Sequence, residues 1–192
     1  MSFLDYADRA LQKFLRAARA NLLSRSPPSP PASYIVSMIY RPYRPEDFPQ
    51  LYAIEQECFQ PPFRFPRRYM RQLLANPNAA TWIAEAAQQM DGFAIVEWTT
   101  SPAPATAYIQ TIEVALARRK RGIAAELLRR IESSVISAGA QVLWLHVAEE
   151  NTSAIRLYLA HGFLPQGRQE NHYAPGLAAL IFAKQPDPSP IR

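Results

Sequence analysis

The stretch Thr111-Ile-Glu-Val-Ala-Leu-Ala-Arg-Arg-Lys-Arg-Gly-Ile-Ala-Ala125 limits what this chain can fold into more than any other. It opens as the end of a strand, crosses a basic turn and enters a helix at Gly122. The first turn of a helix leaves N–H groups without partners, and the helix dipole adds positive potential at the same end. A strand feeding such a turn makes an anion site. Gly122 has no Cβ and lets a phosphate approach closely, and Ala124 is the next least obstructive residue. Arg118, Arg119, Lys120 and Arg121 add charge around the mouth. Taken alone, the same turn reads equally well as a solvated basic loop.

The flanking sequence alternates between the two periodicities of regular structure. Strands are expected over Tyr34–Arg41, Tyr108–Val114, Val142–Val147, Phe163–Gln169 and Ala179–Lys184. A hairpin joins Thr81–Ala86 to Gly92–Thr99 around Gln88–Asp91. Helices are expected over Pro45–Phe59, with Pro45 suited to the first turn, and over Arg67–Ala75, Gly122–Ala138 and Thr152–His161. Asn151 is placed to cap the last of these. Gln60–Pro66 is a stiff aromatic loop and Ser101–Ala105 a proline loop. Elements in this order give an α/β domain on a mixed sheet.

Upstream, Ser2–Leu23 reads as an amphipathic helix, with Leu4, Leu11, Phe14, Leu15, Ala18 and Leu22 at helical spacing. Such a basic helix docks on a membrane or a protein, or stands as a plain surface helix. Ser24–Ser33 is an extended Pro/Ser linker. The chain thus divides into an extension over residues 1–37, a domain over 38–184 and a tail over 185–192.

Charge and cysteine content narrow the function. Of the net +5, three units belong to the extension, where Arg9, Lys13, Arg16, Arg19 and Arg25 stand against Asp5 and Asp8. Much of the remaining positive charge surrounds the anion turn, so a polyanionic coenzyme explains it as well as nucleic acid would. Nucleic acid is not the expected partner. The single cysteine, Cys58, forms no internal disulfide and fits a reducing, cytoplasmic setting. No Cys/His spacing suits a metal. Ser133 and Ser134 lie in a helix, without the sharp turn of a nucleophile elbow.

Three further segments decide the matter: Leu143-Trp-Leu-His-Val147, Asn151-Thr-Ser-Ala-Ile-Arg-Leu-Tyr158 and Gly162-Phe163. Together with Arg119-x-x-Gly122-x-Ala124, their order and spacing resemble the GCN5-related N-acetyltransferase superfamily. The branch most similar is the ribosomal-protein-alanine type, which acetylates protein N-termini. The resemblance covers residues 38–184. Met38 stands where that family typically starts, which makes it a candidate translation start. The resemblance implies a mixed, mostly antiparallel sheet flanked by helices, acetyl-coenzyme A as co-substrate and no metal. It assigns the coenzyme to the backbone of Ile112, Glu113 and Val114, to Lys120, Arg121, Gly122, Ile123, Ala124 and Ala125, and to Asn151. Within that set the strand amides hold the pantetheine arm, and the Val114 amide faces the thioester oxygen. Tyr158 matches the family's general acid, and also reads as a helix tyrosine with its ring in the core. Phe63, Phe65 and Tyr69, with Asn171, His172 and Tyr173, match two loops that flank the acceptor groove. Where the family commonly has paired tyrosines this chain has His172-Tyr173, and Leu177-Ala178 replaces an acidic pair.

The general base is the main departure. The branch carries a glutamate at the position of His146. A neutral imidazole can take a proton from an α-amine at neutral pH, directly or through one water. Glu113 is the second candidate, and an amine that arrives neutral needs no base. The expected activity is acetyl transfer to a protein or peptide α-amine. A small amine as acceptor, a non-catalytic module that binds coenzyme or partner, and a nucleic-acid binder using the basic turn are the alternatives.

Overall fold

A computed structural model describes residues 37–99 and 104–187. The amphipathic helix, the Pro/Ser linker, most of the Ser101–Ala105 loop and the end of the tail lie outside the described residues. Seven strands form one sheet: β1 (Ile39–Pro42), β2 (Ala79–Ala86), β3 (Gln89–Thr99), β4 (Thr106–Val114), β5 (Val142–Ala148), β6 (Leu164–Ala174) and β7 (Leu177–Lys184). Their order is β1-β2-β3-β4-β5-β7-β6. Only β4 and β5 run parallel; every other neighbouring pair is antiparallel. Among the described residues four α-helices complete the architecture: α1 (Phe48–Cys58), α2 (Arg67–Leu74), α3 (Ile123–Ser137) and α4 (Thr152–Ala160). This is the mixed, mostly antiparallel sheet with flanking helices that the sequence implies.

The two faces of the sheet bury separate cores. Ile123, Leu127, Leu128, Ile131 and Val135 on one stripe of α3 pack on Ala84, Ala94, Val96, Ala107 and Ile109. The small alanines let the helix lie close. Burying a side chain of the leucine class contributes roughly 1.5–3 kcal/mol. The apolar stripe, more than intrinsic propensity, therefore holds α3 in place. On the other face, Phe48, Leu51 and Ile54 of α1 and Met70 of α2 cover Ile83, Phe93 and Ile95.

Three local departures position the site. First, the β3–β4 ladder pairs Val96 with Ile109 and Ile95 with Thr111, and so skips Gln110. The extra residue shifts the alternation of β4 by one, so Tyr108, Gln110 and Thr111 all line the same cavity. Second, β4 and β5 pair only over Thr106–Tyr108 and Val142–Trp144. Beyond that point the strands part, and the β5-facing edge of β4 up to Val114 is left without a ladder. Third, β6 runs through Ala174, with its pairing to β7 interrupted between Gln169 and Ala174. Asn171, His172 and Tyr173, expected on a loop, therefore belong to a strand hairpin. Asn171 has φ 53°, and its Oδ1 accepts from the Gly176 N–H at 2.7 Å, so it closes the turn.

The β2–β3 turn also differs from expectation. It is Ala87-Gln88 alone, both residues left-handed at φ 50° and 64°. A two-residue turn of this hand matches the twist of the flanking strands, so β3 begins at Gln89, closer to the turn than the sequence suggests, while β2 ends at Ala86 as expected.

Candidate active site

Two cavities meet where β4 and β5 part, and Phe59 lines both. The first has a volume of about 530 Å³. Its walls include Ile112, Glu113 and Val114 of β4, then Lys120, Gly122, Ile123, Ala124 and Ala125, and finally Asn151 and Tyr158. Of the residues assigned to the coenzyme, only Arg121 is not in this wall. Gly122 precedes α3 at φ 80°, and a Cβ built on it would meet nothing within 4 Å. Lys120 is also left-handed, at φ 63°. Two left-handed residues so close together curl the backbone into a concavity of N–H groups, the form that binds oxyanions. Arg119 is committed elsewhere. Its Nε donates to the Val114 carbonyl at 3.1 Å, and its guanidinium lies 3.5 Å from Cys58 Sγ, so it fastens the turn to the strand. Asn151 caps α4, its Oδ1 accepting from the Ala154 N–H at 3.2 Å. The open strand edge, the amide concavity and the basic rim fit an elongated coenzyme that ends in phosphates.

Tyr158 is buried and packs on Phe163, with ring centroids 5.5 Å apart. Burial pushes its phenol well above the usual range, with Tyr173 and Tyr108 adding to the effect. The hydroxyl therefore keeps its proton at neutral pH. Cys58 also lines this cavity, but burial pushes its thiol up to about 11. It is a poor nucleophile in that state.

The second cavity, about 610 Å³, is a groove on the α1/α2 face of the sheet. Phe63 and Phe65 enter from the loop before α2, Tyr69 from α2, and His172 and Tyr173 from β6. Phe63 touches Tyr173 at 4.8 Å between centroids, so loop and hairpin close over the groove. Asn171 does not line it. Among the described residues Glu97 is the one carboxylate in the wall, held by Gln110 Nε2 at 2.6 Å and Asn76 Nδ2 at 3.2 Å.

The two candidate bases fare differently. His146 lies in the groove wall, with Nδ1 3.1 Å from the Tyr108 hydroxyl and Nε2 2.8 Å from Gln169 Oε1. Its ring stacks on His172, centroids 4.0 Å apart and planes 18° off parallel. Burial, and then the His172 ring, hold His146 below the ordinary imidazole range, while the Gln169 bond works against them. Burial pushes the Tyr108 phenol up to about 12. Glu113 instead does not line the groove; it is buried and faces Glu55 of α1. Its Oε1 accepts from Thr111 Oγ1 at 2.8 Å and its other oxygen has no donor. Burial first, and then the facing Glu55 carboxyl, hold it well above the usual carboxylate range.

Tyr108 and Gln169 were not singled out from the sequence. Tyr108 shares the groove face with Trp144 and His146 because β4 and β5 are parallel neighbours in that register, at Tyr108 and Trp144. Knowing the pairing, strand alternation would have found it. Gln169 has no signal of its own in a polar edge strand.

The sequence model of the acetyltransferase (GNAT) family matches residues 48–163. No curated protein matches the chain. Among solved structures, Arabidopsis thaliana NAA60 in complex with a bisubstrate analogue is similar at 22% identity, with a TM-score of 0.69 over 78% of this chain and 98% of that one. The ribosomal-protein-S18-alanine N-acetyltransferase from Escherichia coli is 21% identical, with a TM-score of 0.69 over 80% and 97%. The NatC complex bound to Gag peptide and CoA gives 19%, 0.68, 77% and 98%. At these identities the similarity establishes the fold, and the family match, which spans more than half of the chain, establishes the lineage: the chain belongs to the acetyltransferase (GNAT) family.

Proposed function

We propose that this acetyltransferase acylates the α-amine of a protein or peptide N-terminus by direct transfer, with the Tyr108–His146 pair as its base. The acetyl donor is acetyl-coenzyme A. Bound in the first cavity, it supplies the activated acetyl thioester. The amides of β4 and of the Lys120–Ala125 turn hold it there, and the rest of the work falls to side chains of the chain. The acceptor reading draws support from two observations. The second cavity is an open groove walled by aromatic residues and carrying one carboxylate, which suits a cationic amine on a flexible chain. Similar folds have been solved with a bisubstrate analogue and with a peptide.

The observation that carries the mechanism is the 3.1 Å contact between the Tyr108 hydroxyl and His146 Nδ1, beside the point where the cavities meet. An α-amine has a pKa near 8 and reaches the groove mostly protonated. The Tyr108 oxygen accepts a proton from the amine while its own hydroxyl proton passes to His146 Nδ1. A raised phenol keeps that proton available, and a lowered imidazole keeps the lone pair free at neutral pH. On the opposite side, the Tyr158 hydroxyl holds the proton for the leaving sulfur. The raised Cys58 thiol fits direct transfer, without an acyl-cysteine.

The test is a panel of peptides with free or blocked N-termini, incubated with the full chain and acetyl-coenzyme A and read by mass spectrometry. Acetylation confined to free α-amines is expected. Modification of small amines alone would overturn the acceptor. In the His146→Gln variant, turnover at pH 7 is expected to fall about 10²-fold or more, the range of general base catalysis, and the acidic limb of the kcat/KM profile to vanish. A variant that keeps both the rate and the limb would overturn the base.

A further inference from the structure

An imidazole has two nitrogens, and a base needs the free lone pair on the one that faces the proton. Which nitrogen that is depends on the partner at the other. His146 has a partner at each. At Nε2 the partner is Gln169 Oε1, 2.8 Å away. An amide oxygen only accepts, so Nε2 carries the hydrogen. The lone pair is then on Nδ1, toward the Tyr108 hydroxyl that can donate to it. A second constraint acts on the ring as a whole. His172 is stacked on it face to face at 4.0 Å, a separation at which two imidazolium ions repel. Both residues come from β6, across the interrupted stretch of the β6–β7 ladder between Gln169 and Ala174.

We infer that Gln169 and His172 are positioning residues that hold His146 as the neutral Nε2–H tautomer, aimed at Tyr108. Gln169 sets the direction of proton flow, from amine to Tyr108 to His146. His172 sets the charge by opposing protonation of its neighbour. This rests on the base assigned above and adds to it the reason that a histidine works in this position. The other ionisable groups of the groove are Tyr108 from β4, Glu97 from β3, Tyr69 from α2, Arg64 from the loop and Tyr173 from β6. Arg64 is turned toward the carbonyls of Phe59 and Gln56. Glu97 is held by amides on the far side of Tyr108, so neither of these charges contacts the imidazole.

The experiment reads the tautomer separately from turnover. Nitrogen chemical shifts of labelled histidine in the full chain, above the imidazole pKa, should show His146 with hydrogen on Nε2. Hydrogen on Nδ1 would overturn the inference while leaving a base role for His146 standing. Gln169→Leu should populate both tautomers and lower kcat about 2- to 10-fold, the worth of one net hydrogen bond, with the KM for acetyl-coenzyme A unchanged. Gln169→Glu keeps an acceptor at Nε2 and adds negative charge, so it should retain the tautomer and move the acidic limb to higher pH. His172→Phe keeps a stacked ring without a charge, and should also move the limb to higher pH. Gln169 is exposed, so loss of the fold does not confound its variants. A limb that stays in place in both Gln169→Glu and His172→Phe overturns the electrostatic half of the inference. A wild-type tautomer as stated, with full activity in His146→Gln, would sink the base assignment and not the tautomer.

Discussion

The coenzyme cavity and the acceptor groove share a sheet and differ in what they are made of. The first is chiefly backbone: an open strand edge, then a turn with two left-handed residues, from the stretch Ile112 to Ala125, with α4 closing the far wall at Asn151 and Tyr158. The second is chiefly side chain. Its walls come from the loop before α2, from α2, β3, β4 and β5, and from β6. A backbone site asks little of side chains beyond small size and positive charge. A side-chain site can be refitted one residue at a time, and here it is built around the stacked rings of His146 and His172.

The sharpest way to break that contrast is at Gly122. Gly122→Glu should abolish coenzyme binding at concentrations that saturate the unaltered chain, because a carboxylate would occupy the concavity meant for phosphates. The backbone at φ 80° adds a cost of about 1–2 kcal/mol for any residue with a Cβ. Gly122→Ala carries the same backbone cost without the charge and serves as the control. If calorimetry finds Gly122→Glu binding no worse than Gly122→Ala, the concavity is not the phosphate site.

The next test lies where the two cavities meet. Tyr158→Phe keeps the ring packed on Phe163 and removes one proton. Turnover should fall about 10²–10⁴-fold, the usual range for a lost general acid, with coenzyme affinity little changed. The fold should hold, since the hydroxyl has no protein hydrogen bond among the described residues. Full activity would return Tyr158 to the role of a core residue and leave the leaving sulfur to solvent.

The same contrast explains what the sequence reveals. The strand-turn-helix is legible because its chemistry is local: small residues, cations and a helix start fall within a few positions. The α3 stripe and the cap at Asn151 are legible for the same reason. His146 shows as a departure within a familiar motif. Tyr108 becomes visible only when β4 is set beside β5, and that pairing is a tertiary fact. Gln169 sits in an edge strand whose exposed side chains carry no alternation. The Ala87-Gln88 turn lacks the Asn or Gly that usually advertises left-handed backbone. Asn171 offers the opposite lesson. A polar residue beside two aromatic ones reads as part of the groove, and its work is to close a turn.

The smallest expected effect separates the two candidate bases. Glu113 and Glu55 are both buried, and each has one oxygen with a donor: Thr111 Oγ1 at 2.8 Å for Glu113, and the Phe65 N–H at 2.7 Å for Glu55. The remaining oxygen of each has no donor, and the two carboxyls face one another. Burial, and then the carboxyl facing it, disfavour the charged form of Glu113. The Glu113 pKa is raised above its unfolded value, so its contribution to stability is present below the ordinary carboxylate pKa and is lost as pH rises through the folded value. In Glu113→Gln an amide replaces the protonated carboxyl and has no proton to lose. Its N–H can donate to the free Glu55 oxygen. Thermal unfolding of the variant should match the unaltered chain near pH 5 and exceed it near pH 9 by a few degrees, the worth of about one net hydrogen bond in a domain of this size. Turnover at neutral pH should stay within a few-fold, because the carboxyl is buried against Glu55 and does not line the groove. If Glu113→Gln instead loses the acidic limb of the pH–rate profile while His146→Gln keeps it, the buried carboxyl is the base and the histidine in the groove is not.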